Sequence, residues 1–234
     1  MKTNIPAPAE RRRPPIPVEA DGLSVLCRPW SYDADVRHEV AHYFEKIRCA
    51  PDQRWLDIGG HIGWFALGAA SRGCSVVACE PEPDNFLLLE QNVRRNKTPG
   101  SITALRCAVG ARPATAVPFY ISSSRVTMTH SLFVRRGRAV IDVEVRGVNE
   151  LIEACDIDQI KCDCEGAELV ILNALTPANW DRIEQLVFEY HYKMNGDRHR
   201  DKYPELVRLL RRHFKTVDCP MKEKSWLVQG YCSK

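Results

Sequence analysis

The stretch Asp57-Ile58-Gly59-Gly60-His61-Ile62-Gly63 decides how this chain is read. It follows the apolar run Arg54-Trp55-Leu56 and leads into Trp64-Phe65-Ala66-Leu67-Gly68-Ala69-Ala70-Ser71, closed by Gly73. A buried strand, a glycine turn and a helix in that order make the first half of a β-α-β unit. Glycine lets the backbone adopt angles a side chain would block and lets a ligand come close. The helix start adds N–H groups that have no partner within the helix.

Working outward, the same rhythm continues. Cys74–Glu80 (CSVVACE) is a second buried strand, and PEPDNFLLLEQNVRRNK is a second helix with prolines only at its start. SITALRCAV, residues 101–109, is a third strand. Strands alternating with helices imply an α/β fold with a parallel sheet covered on both faces. The middle differs. ATAVPFYISSS and AVIDVEVRGV alternate apolar and polar residues, as half-exposed strands do, and point to an inserted β-hairpin. Its connection, SSSRVTMTHSLFVRRGR, is long and rich in Ser, Thr and Arg, and long loops in compact domains often carry function.

The alternation then resumes with VNELIEAC (helix), IDQIKCDC (strand), EGAELVILNAL (helix), RIEQLVFEY (strand) and YPELVRLLRRHF (helix). FKTVDC and SWLVQGYC read as two closing strands in hairpin contact. Before the glycine turn, residues 33–48 carry Val36, Val40, Tyr43, Phe44 and Ile47 at helical spacing, and Pro51 ends them. The reading is one domain over residues 23–234, preceded by a flexible tail over residues 1–22 with prolines at 6, 8, 14, 15 and 17 and arginines at 11–13.

The totals are those of a globular protein: 234 residues, 44% hydrophobic and 27% charged, with a net charge of +3. That charge neither requires nor forbids a nucleic-acid partner. The ten cysteines form no CxxC and no zinc-finger spacing, so they read as reduced, mostly buried residues of a cytoplasmic protein. No run of eighteen apolar residues is present, so no membrane helix is expected.

Two acids frame the glycine turn. Asp57 ends the first strand, and Glu80 ends the next strand 23 residues later, before Pro81. An acid about 20 residues beyond such a turn is placed to accept both hydroxyls of a ribose. That logic fits any adenosine cofactor. A dinucleotide site uses G-x-G-x-x-G, whose middle glycine admits pyrophosphate. Here the pattern is D-x-G-G-x-x-G, and an acid two places before the first glycine would repel pyrophosphate. It suits a ligand carrying an ammonium group, such as the methionine half of S-adenosylmethionine. The bland alternatives are a turn cap for Asp57 and a solvated strand end for Glu80.

Four blocks, WLDIGGHIGWFAL, VVACEPEPDNFLLLEQNVRRN, CAVG, and IKCDCEGAELVIL followed by LVFEYH, resemble the FkbM-type methyltransferases, a class I Rossmann-like family. The most specific element is Lys161-x-Asp163-x-Glu165-Gly166-Ala167-Glu168. The resemblance covers roughly residues 52–192. It departs from the family pattern at Gly60-His61, where alanine-asparagine is usual. His61 then either contacts a ligand or caps the helix.

The resemblance implies a mostly parallel seven-stranded sheet with its last strand antiparallel, and S-adenosylmethionine as methyl donor, leaving S-adenosylhomocysteine. It implies that Asp57, Gly59 and Gly63 line the methionine half; Gly60 and His61, within the same turn, are further cofactor-binding candidates. Glu80 and Pro81 would meet the ribose, Ala108 the adenine, and Asp163 the methyl donor. The acceptor it implies most often is a hydroxyl of a saccharide or other small molecule. Deprotonating a hydroxyl calls for a base, and Asp163, His130, His191 and Glu165 are the candidates. Asp163, Glu165, Glu189 and His191 would also suit a hard divalent cation. A nucleic-acid acceptor draws its support from Arg11-Arg12-Arg13, Arg94-Arg95, Arg135-Arg136, Arg138, Arg208, Arg211 and Arg212, and peptide acceptors stay open. A nicotinamide oxidoreductase is disfavoured by the glycine pattern, and a non-catalytic module by the intact acids. Nothing in the chain indicates an oligomeric state.

Overall fold

The computed structural model describes residues 13–122, 127, 129–132, 139–191, 202–220 and 227–234. Most of the connection inside the inserted hairpin, with Arg135, Arg136 and Arg138, lies outside them, as do Arg11 and Arg12. The glycine turn sits at the centre of a seven-stranded sheet. Strand β3 (Arg54–Ile58) feeds the turn, and α2 (Trp64–Ser71) follows it. Strands β4 (Ser75–Cys79) and β5 (Ser101–Leu105) continue to one side, with α3 (Pro83–Arg95) crossing between them.

The chain then returns to the other side of β3. There lie β9 (Gln159–Cys162), β10 (Gln185–His191), β12 (Leu227–Ser233) and β11 (Thr216–Asp218). The order is β11-β12-β10-β9-β3-β4-β5. The strands from β5 to β10 pair in parallel, and β12 runs antiparallel to both β10 and β11. Strand order reverses between β3 and β9, and open α/β sheets bind ligands outside the carboxyl ends of strands at such a switch point.

Burial on both faces explains the apolar strands. Strand residues alternate between faces. Leu56, Ile58, Ile160 and Cys162 face one core, which also holds residues of α4 (Val148–Cys155), α5 (Glu168–Ala174), α6 (Pro177–Arg182) and α7 (Tyr203–His213). Trp55, Val76, Ala78 and Val187 face the other, with α1 (Val36–Lys46), α2 and α3. Helix α2 is buried on every side except its last residue. None of the described helices is long and apolar enough to cross a membrane.

Three expectations change. The segment expected as a tail through residue 22 is ordered as a hairpin, β1 (Ile16–Ala20) with β2 (Leu23–Cys27). Its turn is Asp21-Gly22, with φ of 52° and 77°, and Asp-Gly is the pair that a two-residue hairpin turn of this hand favours. Asn96 and Asn92 of the α3 end accept the Ser24 and Leu26 amides, at 2.9 and 2.6 Å, so one edge of β2 is covered. The single strand expected over 101–109 is two. The chain bends between Leu105 and Cys107, and β6 (Ala108–Gly110) joins a separate sheet of order β6-β8-β7. That sheet contains the expected hairpin, β7 (Ala114–Ile121) with β8 (Ala139–Gly147). Finally, the helix expected from Glu165 begins only at Glu168, because Glu165 and Gly166 take φ of 59° and 108°. Helix α6, capped by the Thr176 side chain on the Asn179 amide, was not anticipated.

Candidate active site

A cavity of about 300 Å³ opens where the strand order reverses. Its floor comes from the loops after β3, β4 and β9 and from the end of β10. Its walls come from Tyr32–Tyr43 around α1 and from Thr129, His130 and Leu132 of the insert. Of the expected site residues, Gly59, Gly60, His61, Glu80, Pro81, Ala108, His130, Asp163 and Glu165 border the cavity. Asp57, Gly63 and His191 do not.

Asp57 is the first correction. It is fully buried, and it pairs in register with Lys161 on the adjacent strand, so both side chains share one face. Lys161 Nζ lies 3.1 Å from Asp57 Oδ1 and donates to the Gly59 carbonyl at 2.6 Å. Burial opposes the ammonium charge, but Asp57 and Asp163 override it and hold Lys161 protonated. The Asp57 charge is thus already answered from within the protein and is not presented to a ligand. Lys161, known in the sequence only as part of a motif, is what borders the cavity here.

The glycines serve packing as much as ligand access. Gly59 has φ of 83°, and a Cβ there would sit 1.9 Å from the Asp163 carbonyl oxygen. The β3 loop can therefore lie against the β9 end only without a side chain. Gly63 has φ of 101°, and a Cβ would meet Leu89 Cδ1 of α3 at 2.8 Å. Its role is helix packing rather than lining a ligand. The Gly59 and Gly60 amides donate to the Cys79 carbonyl, which ties the turn to β4.

Glu80 is held rigidly at the cavity edge. Its two oxygens accept the His61 amide at 2.8 Å and the Glu82 amide at 2.9 Å. Burial raises its pKa to about 7 despite these donors. His61 supplies that amide because its backbone is left-handed, φ 48°, a conformation in which Asn, Asp and His are enriched. It does not cap α2, whose N-cap is Gly63. Its imidazole, held toward the neutral form by burial, reaches into a buried polar network. Nε2 lies 3.1 Å from Thr127 Oγ1 and 3.5 Å from Asp33 Oδ1. Arg28 clamps Asp33 through Nε and Nη2 and donates to Asn85 at 2.6 Å. Thr127 donates to Asp33 at 2.6 Å, so the insert is fastened to the wall beside Glu80. Arg28, Asp33, Asn85 and Thr127 were not singled out in the sequence, where scattered polar residues carry no periodic signal.

The other end of the cavity gathers carboxylates. The Asp163 side chain is 25% exposed, and Tyr43 donates to its Oδ2 at 3.4 Å. Burial lifts Glu165 to about 8 and Glu189 to about 7, with neighbouring carboxylates adding to both. His191 is fully buried. Its Nδ1 lies 2.9 Å from Glu168 Oε1, and its Nε2 lies 3.6 Å from Glu165 Oε1 and 3.5 Å from Glu189 Oε2. Burial alone would strip its proton; Glu165 and Glu168 push its pKa well above the usual value. His191 does not border the cavity and its Nδ1 faces Glu168, so it is not placed to take a proton from an acceptor there. His130 borders the cavity, but its Nδ1 accepts the Ser122 amide at 2.9 Å. Tyr43, read earlier only as an apolar helix position, was missed as a partner of Asp163. All ten cysteines are free.

Residues 57–215 match the description "Methyltransferase FkbM domain". The chain is 28% identical over 204 residues to "31-O-demethyl-FK506 methyltransferase FkbM" of Streptomyces tacrolimicus, covering 73% of this chain and 75% of that protein. It is 25% identical over 167 residues to "Methyltransferase sdnD" of Sordaria araneosa, covering 57% of this chain and 64% of that protein. The chain thus spans somewhat less than two thirds of the fungal relative. In fold it resembles the tRNA (uracil-54, C5)-methyltransferase of Pyrococcus abyssi, solved with S-adenosyl-L-homocysteine. The TM-score is 0.50 at 13% identity, and the match covers 94% of this chain and 44% of that one.

Proposed function

Because this chain belongs to the FkbM methyltransferase family, we propose that it transfers a methyl group from S-adenosylmethionine to a hydroxyl oxygen of a saccharide or other small molecule. The observation that carries the proposal is the single cavity joining the Glu80 edge to the Asp163–Glu165–Glu189 cluster. The Streptomyces relative, named for methylating 31-O-demethyl-FK506, supports an oxygen acceptor.

The residues suit the donor. Glu80 is a fixed carboxylate bordering the cavity, an acceptor of the kind the two hydroxyls of a ribose need. Pro81 and Ala108 give the same edge apolar contact surface. Asp163 and Glu39 place negative charge at the opposite wall, where an ammonium group would be received in place of Asp57. Bound there, S-adenosylmethionine supplies a methyl carbon already activated by a positively charged sulfur.

The protein's own task is mostly alignment, which is worth ~7–11 kcal/mol in favourable cases. The α1 wall and the insert enclose the cavity and keep water from the acceptor. Asp163 receives the hydroxyl proton; it is the most exposed carboxylate of the cluster, and Tyr43 orients it. A positioned base contributes about 10²–10⁴-fold.

The test is turnover of methyl-labelled S-adenosylmethionine against separate fractions of sugars, small metabolites, RNA and protein. Label in a sugar or small-molecule fraction is expected; label only in RNA or protein would overturn the acceptor class. Asp163→Ala should cut turnover by at least about 10²-fold even at saturating donor. Full turnover in that variant would remove Asp163 from the reaction.

A further inference from the structure

We propose that the carboxylate–imidazole cluster at the β9–β10 end of the cavity binds one divalent first-row metal ion through Asp163, Glu189 and His191, with Glu165 as a further ligand. Asp163, Glu189 and His191 each present one donor atom, all within 4.8 Å of one another. An ion about 2.0–2.3 Å from each donor holds them no more than about 4.6 Å apart, so the side chains draw together by up to about an ångström to take it. A cluster of acids is common without an ion, so the case rests on three further features.

The first is Glu165. Its side chain is only 6% exposed, and its Oε2 has no hydrogen-bond partner among the described residues. The carboxylate nevertheless points at the cluster, with Oε1 3.6 Å from His191 Nε2. A buried carboxylate oxygen left unsatisfied is costly, and a cation beside it removes the cost.

The second is how His191 is held. Nδ1 sits 2.9 Å from Glu168 Oε1, and Nε2 faces Glu165 and Glu189. Ligating histidines almost always give one ring N–H to a carboxylate or carbonyl, which fixes the tautomer and orients the other nitrogen toward the metal. Glu189 is oriented in the same way: Gln229 Nε2 donates to its Oε1 at 2.6 Å, turning Oε2 toward His191.

The third is charge and access. Asp163, Glu165 and Glu189 converge on one imidazole; Lys161, 3.9 Å from Asp163, is shared with Asp57, and a dication would balance the negative charge that remains. All three carboxylates border the cavity, so the ion keeps a side open to it, as catalytic metal sites do. One imidazole among oxygens favours Mn²⁺, Fe²⁺ or Zn²⁺ over Ca²⁺, which prefers oxygen alone. An ion here would fix the acceptor oxygen against the donor. That role rests on the methyl-transfer reading, but the binding does not. A carboxylate ligated through one oxygen keeps the other for a proton, so Asp163 serves in both.

The experiment titrates Mn²⁺ into chelator-treated protein without S-adenosylmethionine, followed by electron paramagnetic resonance and calorimetry, with Zn²⁺ and Mg²⁺ as competitors. One Mn²⁺ per chain is expected. Glu189→Gln and Glu168→Gln should each weaken it by roughly 10–100-fold, the second although it touches no metal. Thermal melting checks that both variants are folded. The wild-type titration stands without them: no saturable binding of Mn²⁺ or Zn²⁺ up to about 1 mM overturns the proposal. So does binding that both folded variants retain in full. Binding without methyl transfer leaves the site and removes the reaction, whereas methyl transfer unaffected by chelation, with no ion bound, does the reverse.

Discussion

Replacing Lys161 with methionine tests the account of Asp57 most sharply. In the wild type, Asp57 is fully buried, and its nearest cation is Lys161 Nζ at 3.1 Å. The same Nζ satisfies the Gly59 carbonyl. Lys161→Met keeps the apolar stem and removes the charge. Breaking a buried ion pair from one side costs ~3–5 kcal/mol, because the remaining charge is left uncompensated. Domains of this size are stable by only ~5–15 kcal/mol, so this is a large fraction. At ~2–4 °C per kcal/mol, the melting temperature should fall by ~6–20 °C. The loss should shrink with falling pH. An unpaired buried Asp57 has a raised pKa, and such a group favours the folded state below its unfolded pKa and loses that contribution as pH rises. Asp57→Asn in the same background should recover most of the stability at pH 7. Urea unfolding at pH 5 and 7 of the parent, both single variants and the double variant measures all of this. A Lys161→Met loss below about 1 kcal/mol at pH 7, or losses that simply add in the double variant, would refute the pairing.

Two further outcomes follow from the same geometry. Gly22→Ala and Gly59→Ala both place alanine at positive φ, a strain of ~1–2 kcal/mol, but only Gly59 adds a clash, at 1.9 Å from the Asp163 carbonyl. Urea midpoints should show Gly22→Ala mildly weakened and Gly59→Ala weakened by at least ~2 kcal/mol more, or unable to fold. Glu80→Gln should weaken S-adenosylmethionine binding by roughly 10–100-fold in calorimetry, since hydrogen bonds to a charged acceptor are worth ~1.5–3 kcal/mol. Because Glu80 titrates near 7 and its ionised form accepts the diol, wild-type affinity should rise as pH climbs from 6 to 8. A slope that persists in Glu80→Gln would assign the proton elsewhere.

The periodic features were legible in the sequence. Strand β3, the glycine turn, α2 and the insert hairpin each follow from the spacing of apolar residues and glycines within a few turns of chain. The N-terminal hairpin was legible too, in Asp21-Gly22, but the surrounding prolines and arginines argued for a tail. The break at Cys107 was not. SITALRCAV carries no glycine or proline to mark a break, and only tertiary packing sends its last residues to a second sheet.

The active-site errors have one physical source. Asp57 was identified correctly as an acid at a strand end, but its partner depends on which strand lies alongside and in what register. Lys161 is 104 residues away in sequence and becomes a neighbour only because the chain reverses after β5 and places β9 against β3. The same holds for His191. A lone histidine at a strand end has the composition of a base, yet Glu168 and Glu165, brought over by the left-handed turn at Glu165-Gly166, engage its ring away from the cavity. Sequence motifs therefore located the charged groups but not their charge balance. That balance decides chemistry here: the acid nearest the glycines is spent inside the fold, and the carboxylates left facing the cavity are those at the ends of β4, β9 and β10 and at the start of α1.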